Sequence, residues 1–302
     1  MSTQASAAPL RSWLPTYITL GIVWGSSFLF IEKTLTFLTP VGIAFLRCLL
    51  GALTLWVVVI AKRSPLIKEP LVIFHLWIVS LLLNVFPGVL FAFAQERTSS
   101  ILAGIMNALT PLMSLLMILL IFKGEKITRN RTLGIALGFI GVLVVLLVGN
   151  AVGSFSLIAF FALLLAVIGY GVAFPYTSKF LTPRQLAPEA LATTQVSLGA
   201  ITLLPFFIYH GINSYQPSIV GVGSILALGI LSTGIAYIWN FKNVALAGAS
   251  LASTVTYITP LVAVILGVAL LGEPLTWNEP VGGLIVLIGS AIAQGRIRVF
   301  KE

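Results

Sequence analysis

The chain has 302 residues, of which 59% are hydrophobic and only 8% are charged, with a formal net charge of +9. An average soluble domain carries about 25% charged residues, so this composition excludes a water-soluble globular fold and predicts a membrane protein. The basic residues stand in short segments between apolar runs rather than along one face, which argues against a nucleic-acid-binding protein.

Ten apolar runs follow one another along the chain. They cover residues 14–31, 40–61, 71–94, 98–122, 132–149, 156–177, 190–209, 218–241, 246–271 and 280–295. A membrane-spanning helix needs about 20 apolar residues, so the sequence predicts an all-α integral membrane protein with ten transmembrane helices in the lipid bilayer. We interpret the first run as a helix rather than a cleaved signal peptide, because it is long and is followed directly by Glu32 and Lys33.

The basic residues indicate the orientation, since lysine and arginine stay on the cytoplasmic side of inner-membrane proteins. With the N-terminus inside, only Lys33 and Arg97 fall outside, and Arg47 lies within the second run. The inner segments hold Arg11, Lys62, Arg63, Lys68, Lys123, Lys126, Arg129, Arg131, Lys179, Arg184, Lys242, Arg296, Arg298 and Lys301. This bias predicts a multi-pass protein of the bacterial inner membrane with both termini in the cytoplasm.

An internal repeat divides the chain. The repeated motifs are Leu109-Thr110-Pro111-Leu112 with Ile258-Thr259-Pro260-Leu261, Gly124-Glu125 with Gly272-Glu273, and Trp24-Gly25-x-x-Phe28 with Tyr170-Gly171-x-x-Phe174. They predict two domains, residues 1–150 with helices one to five and residues 151–302 with helices six to ten. Because five is odd, the second copy enters the membrane in the opposite sense. Inverted repeats are typical of secondary transporters, whose substrate site lies between the halves near the membrane midplane.

These paired motifs resemble the EamA family of the drug/metabolite transporter superfamily over nearly the whole chain. The resemblance implies a ten-helix exporter fold around a central cavity lined by helices one, three, four, six, eight and nine. Length and pattern also resemble the bacterial amino-acid exporters of the YddG type, which export aromatic and some other neutral amino acids. The small multidrug pumps of the superfamily rely on a glutamate in the first helix, where this chain has Trp24, Ser26 and Ser27.

Two prolines in the T-P-L motifs predict helix kinks. A proline inside a helix leaves the carbonyl four residues earlier without its usual donor, which here frees the carbonyls of Asn107 (by Pro111) and Thr256 (by Pro260). We hypothesise that Asn107 and Thr256 line a substrate site and offer oxygens to a ligand ammonium group. The alternative is that the kinks only bend the helices for packing.

The same argument applies to two further prolines. Pro87 frees the carbonyl of Leu83, beside Asn84, and Pro175 frees that of Gly171. We therefore count Asn84 among the candidate substrate-binding residues and Pro87 and Pro175 among the candidate kinks.

Aromatic residues lie deep inside several spans, away from the interfaces where tryptophan and tyrosine usually anchor. They are Trp24, Phe91, Tyr170, Tyr237, Trp239 and Tyr257. Buried tryptophan and tyrosine need a partner for N–H or O–H, which a polar cavity would supply. We predict that Trp24, Phe91, Tyr170, Tyr237 and Tyr257 contact substrate; filling gaps or facing lipid is the alternative.

Arg47 is the charged residue that lies well within a span, and such a residue is a functional candidate by default. Three interpretations stay open: the side chain reaches outward to water, binds a substrate carboxylate, or pairs with Glu32 or Glu96. Its equivalent in the second half is the neutral Gln195, which argues against a symmetric role.

The chain contains no aspartate, and its glutamates stand in loops, in tails or at span ends. Proton-coupled carriers usually place an ionisable group in the pathway, so we expect facilitated transport, with coupling through Glu32 or Glu96 as the alternative. One arginine is too few to clamp a phosphorylated substrate. We therefore expect export of neutral or zwitterionic metabolites, chiefly amino acids including aromatic ones, with multidrug or other metabolite efflux as the second reading.

Other functional classes fit less well. The sequence has no nucleophile–base motif and no metal motif such as H-E-x-x-H, so we expect neither an enzyme nor a cofactor or metal. A channel would not need inverted halves. The spacing Gly134-x-x-x-Gly138 favours close helix packing, and we expect a monomer or a weak homo-oligomer.

Overall fold

The computed structural model describes residues 10–122, 128–148, 156–213 and 216–300. Within these ranges the regular elements are helices. Leu38 and Ile212 form one isolated antiparallel β-bridge. The helices are α1 (Leu10–Thr34), α2 (Pro40–Lys62), α3 (Pro70–Gln95), α4 (Ser100–Phe122), α5 (Arg129–Val148), α6 (Leu157–Phe180), α7 (Pro188–His210), α8 (Ile219–Gly248), α9 (Thr254–Leu271) and α10 (Asn278–Ala293). The boundary predicted at residues 150 and 151 lies outside the described ranges.

Eight of the helices in the described part of the chain, α1 to α4 and α6 to α9, are long and apolar enough to cross a membrane. Helix α10 has 16 residues and is about 24 Å long at 1.5 Å per residue, less than the roughly 30 Å of a hydrocarbon core. The all-helical membrane fold is therefore confirmed, while the count of ten spans stays a prediction.

Helices α5 and α10 pack against each other along a seam of glycines. A Cβ atom on Gly134 would collide with the Gly289 carbonyl, and one on Gly141 would lie 2.7 Å from the Gly282 carbonyl oxygen. The small residues thus serve close packing within the chain. They give no support to a dimer interface at this seam.

Polar side chains cap the N-termini of α2 and α4. The hydroxyl of Thr39 accepts a hydrogen bond from Gly42 N at 3.1 Å, directly before Pro40 in the first turn of α2. Glu273, in the Gly-Glu loop after α9, accepts hydrogen bonds from the backbone N–H groups of Ser100 (2.9 Å) and Ile101 (3.1 Å) at the start of α4. These contacts satisfy N–H groups that a helix end leaves without partners. The Gly-Glu motif of the second half therefore caps a helix of the first.

Irregular turns recur at equivalent places in the two halves. Helix α3 contains a π turn at Leu81–Val85, and α8 contains one at Leu228–Ile235. Helices α4 and α9 both end in a π turn, Ile118–Phe122 and Gly267–Leu271. A π turn changes the usual backbone pairing and is frequent at functional sites.

The boundary between the eighth and ninth spans lies at Gly248, two residues after the start that the sequence places at residue 246. Helical turns continue on both sides of this kink, and the apolar helix α9 begins at Thr254. Gly248 has a φ of 80°, a left-handed conformation that glycine adopts without steric cost.

Candidate functional site: a central cavity

A cavity lies between helices of both halves. The lining side chains come from α1, α2, α3, α4, α6, α8 and α9: Trp24, Ser27, Phe28, Ile31, Arg47, Leu83, Phe91, Asn107, Tyr170, Phe174, Tyr237 and Thr256. Helix α2 contributes Arg47 in addition to the helices that the family resemblance implies.

The structure brings most of the predicted site residues together. Those that line the cavity are Trp24, Phe91, Asn107, Tyr170, Tyr237, Thr256 and Arg47. Asn84 and Tyr257 do not line it. Asn84 is 2% exposed, and its Oδ1 accepts a hydrogen bond from Gln195 Nε2 on α7. The π turn of α3 thus directs Leu83 to the cavity and the neighbouring Asn84 to α7.

Aromatic rings form much of the wall. The Phe91 ring stacks on Tyr170, with centroids 5.7 Å apart, and meets Phe28 edge to face at 5.6 Å. Trp24 meets Tyr237 edge to face at 5.9 Å. Such pairs hold the rings in defined orientations, so the wall offers flat apolar surface to a ligand.

Sequence reasoning missed five lining residues: Ser27, Phe28, Ile31, Leu83 and Phe174. Two of them were detectable. Phe28 follows Trp24 by four residues, and Phe174 follows Tyr170 by four, a spacing that places both rings of each pair on one helix face. The W-G-x-x-F and Y-G-x-x-F motifs therefore mark cavity-facing stripes of α1 and α6.

Backbone carbonyls in the π turns hold the polar ends of the aromatic side chains. The Tyr237 hydroxyl donates to the Leu83 carbonyl oxygen at 3.1 Å, and Trp24 Nε1 donates to the Ser232 carbonyl oxygen at 3.1 Å. The sequence predicts that a polar cavity supplies the partners of these groups, whereas backbone carbonyl oxygens supply them in the structure. The Leu83 carbonyl, which Pro87 deprives of its usual donor, is already occupied by Tyr237.

The two T-P-L turns are joined across the halves. Asn107 Nδ2 donates to Thr259 Oγ1 at 3.0 Å, and the Thr110 hydroxyl donates to Asn107 Oδ1 at 3.2 Å. The Thr259 hydroxyl in turn donates to the Thr256 carbonyl oxygen at 2.9 Å. The Thr256 carbonyl, which lacks its usual donor because of Pro260, therefore accepts a hydrogen bond from Thr259 instead.

Arg47 is buried at the cavity, with 8% of its surface exposed, and its Nε donates to Thr233 Oγ1 at 3.0 Å. The side chain does not reach outward to water. Glu96 pairs with Arg97 at 2.6 Å, and in the described part of the chain no carboxylate, Glu32 included, lies within ion-pair distance of Arg47. Of the three interpretations of Arg47, the described structure shows neither the outward reach nor the pairing with Glu32 or Glu96, and carboxylate binding stays a prediction.

A matching contact occurs in the other half. Gln195 on α7 bonds to Asn84 in the π turn of α3, just as Arg47 on α2 bonds to Thr233 in the π turn of α8. The Gln195 pair is fully enclosed and leaves Gln195 Oε1 and Asn84 Nδ2 without partners. Only the Arg47 contact borders the cavity.

The long apolar helices define a multi-pass membrane protein with an aromatic-lined cavity between its two halves. The model of the EamA-like transporter family matches residues 11–147 and again residues 157–294. The chain therefore belongs to the EamA-like transporter family and is a membrane transporter.

Relatives from several organisms agree with this assignment. The chain is 29% identical to an uncharacterized transporter of Archaeoglobus fulgidus, over 93% of this chain and 97% of the relative. It is 27% identical to the uncharacterized transporter YdfC of Bacillus subtilis (88% and 86%) and 26% identical to the uncharacterized inner membrane transporter YedA of Escherichia coli (95% and 93%). A crystal structure with 18% identity superposes with a TM-score of 0.69 over 97% of this chain and 99% of that one, which supports the fold.

Proposed function

We propose that the protein is a secondary transporter of the bacterial inner membrane that exports small neutral or zwitterionic metabolites, chiefly amino acids including aromatic ones. The supporting observation is the central cavity, to which both halves contribute aromatic rings, the polar groups of Asn107 and Thr256, and Arg47. Flat rings suit an apolar side chain, and the polar groups suit the charged ends of an amino acid.

Alternating access follows from the repeat. The family model matches twice, and the irregular turns recur in α3 and α8 and in α4 and α9. Two five-helix halves of opposite orientation can open a site at their interface to either side by rocking against each other. Both termini then lie in the cytoplasm, as the charge bias predicts.

Facilitated transport is the energetic mode that the cavity favours. None of the residues that line it is acidic, whereas proton-coupled carriers usually place an ionisable group in the pathway. Glu32 favours the coupled alternative, because its Oε2 atom is buried without a hydrogen-bond partner. Accumulation of substrate against its gradient when a pH difference is imposed, abolished by Glu32→Gln, would establish coupling.

Multidrug efflux is the second candidate substrate class. The cavity carries one positive charge and no negative charge, so it repels cationic dyes and drugs. Amino acids have both charges and are not repelled as a whole. The cavity therefore favours amino acids over cationic drugs.

The deciding experiment is uptake into proteoliposomes of radiolabelled phenylalanine, tryptophan, threonine and methionine. We expect saturable uptake that unlabelled amino acids inside the vesicles accelerate and that unlabelled amino acids outside compete away. Countertransport of this kind distinguishes a carrier from a channel. An absence of amino-acid uptake together with dye flux would move the assignment to drug efflux.

A further inference from the structure

We propose that the Arg47 end of the cavity is a carboxylate-binding subsite, so that substrates are recognised by a carboxylate on an apolar or aromatic body and need no ammonium group. This inference rests on the proposed transport function and narrows its substrate class. It predicts that aromatic acids without an amine bind, and that aromatic amines without a carboxylate do not.

The positive charge of Arg47 has no counterion in the described part of the chain. Arg47 is the charged residue among the cavity-lining side chains, is 8% exposed, and has no carboxylate within ion-pair distance among the residues that the structure describes. A buried charge without a counterion is costly to keep. An anionic group of the substrate supplies that counterion whenever the site is occupied.

The second argument is the geometry of the guanidinium group. The group has five N–H donors, and the hydrogen bond to Thr233 uses the one on Nε. The donors on the two terminal nitrogens match the two oxygens of a carboxylate. Thr233 is fully buried in the π turn of α8, where a Cβ on Gly51 would lie 2.9 Å from its methyl carbon. The close approach of α2 and α8 therefore holds Thr233, and Thr233 orients Arg47 as a positioning residue.

The third argument concerns the oxygens that an ammonium group would need. Two carbonyls that the prolines deprive of donors are already satisfied within the protein: Leu83 by Tyr237, and Thr256 by Thr259. No acidic side chain lines the cavity. The cavity thus has donors ready for an anion, whereas two of the four carbonyls that could accept from a cation are engaged.

The test is competition for labelled L-phenylalanine uptake in proteoliposomes by two analogues that each lack one charged group. The first is 3-phenylpropionate, which has no amine, and the second is phenethylamine, which has no carboxylate. For the wild type we expect 3-phenylpropionate to compete within about tenfold of unlabelled phenylalanine and phenethylamine to fail. Competition by phenethylamine but not by 3-phenylpropionate would overturn the inference.

Variants of the subsite sharpen the test. Arg47→Gln should raise the half-saturation concentration for phenylalanine at least about tenfold, the factor expected from one charge-assisted hydrogen bond, and should abolish competition by 3-phenylpropionate. Arg47→Lys should recover part of the loss, because it keeps the charge but not the two-pronged geometry. Thr233→Val should have a half-saturation concentration for phenylalanine between those of the wild type and Arg47→Gln.

Two readouts keep the outcome decisive. Thermal stabilisation of the detergent-solubilised protein by 3-phenylpropionate reports binding without transport, and elution as one symmetric size-exclusion peak checks that each variant is folded. If Arg47→Gln is folded, transports phenylalanine and is inhibited by 3-phenylpropionate as the wild type is, this inference fails and the proposed function stands. If the wild type neither binds nor transports either compound, both fail.

Discussion

Two equivalent contacts of the molecule have different chemistry. In one, the Arg47 guanidinium on α2 bonds to Thr233 in the π turn of α8; in the other, the Gln195 amide on α7 bonds to Asn84 in the π turn of α3. Both join the second helix of one half to the third helix of the other. The first borders the cavity and carries a charge, whereas the second is neutral and enclosed. The two halves thus share the position of this contact, whereas its chemistry differs between Arg47 and Gln195.

The largest loss of stability is expected when an arginine replaces Gln195 in the enclosed contact. Gln195 is 0% exposed and its polar neighbour is Asn84. Gln195→Arg therefore buries a charge without a counterion, which we expect to lower stability by roughly 3–5 kcal/mol. Thermal unfolding followed by size-exclusion fluorescence measures this.

Gln195→Leu, the uncharged control, should lose at most about 1–3 kcal/mol, because it leaves the buried Asn84 Oδ1 without its donor, and should therefore unfold at a higher temperature than Gln195→Arg. If Gln195→Arg were as stable as the wild type, the contrast between an open and an enclosed contact would be wrong.

A smaller effect should appear at the glycines of the two repeated aromatic motifs. A Cβ on Gly25 would lie 3.0 Å from the Thr259 carbonyl oxygen, and one on Gly171 would lie 2.8 Å from the Met113 carbonyl carbon. Gly25→Ala and Gly171→Ala should each cost about 1–3 kcal/mol of stability through overpacking, and should slow transport.

Gly223→Ala is the matched control, because nothing lies within 4 Å of its Cβ position. It should leave the unfolding temperature unchanged or slightly raised. If all three variants behaved alike, the close approach of α1 to α9 and of α4 to α6 would not matter for stability.

The smallest effect concerns the two T-P-L turns. Asn107 makes side-chain hydrogen bonds to Thr259 and Thr110, whereas the Thr256 hydroxyl bonds to the Ser253 carbonyl within its own turn. Asn107→Ala should raise the half-saturation concentration for phenylalanine about two- to tenfold and Thr256→Ala less, since a hydrogen bond contributes about 0.5–1.5 kcal/mol. Uptake kinetics measure both. Wild-type kinetics in both variants would remove these turns from the site.

Much of the fold follows from the amino-acid pattern, because a bilayer requires long apolar helices. The depth of a residue along its helix is also predictable, which is why Trp24, Tyr170 and Asn107 were found. The direction in which a side chain points is harder to predict. Asn84 faces α7 because the π turn of α3 inserts an extra residue per turn. Pro87 marks the place of that irregular turn in the sequence, but not the direction in which Asn84 points.

The sequence also does not predict which groups of the two halves form hydrogen bonds with each other. Tyr237 lies far along the chain from Leu83, and Trp24 from Ser232. Proline spacing indicates which carbonyl loses its donor, but the replacement donor comes from a helix of the other half. Only the packed structure therefore shows that these oxygens are already satisfied.

One assay on three proteins tests the carboxylate-binding role of Arg47 most directly. The wild type, Arg47→Gln and Gln195→Leu are reconstituted at equal density, and countertransport of labelled phenylalanine is measured over a range of concentrations. We expect saturable countertransport in all three, equal half-saturation in the wild type and Gln195→Leu, and a half-saturation at least about tenfold higher in Arg47→Gln. Equal half-saturation in all three proteins, or a larger defect in Gln195→Leu than in Arg47→Gln, would contradict this role of Arg47.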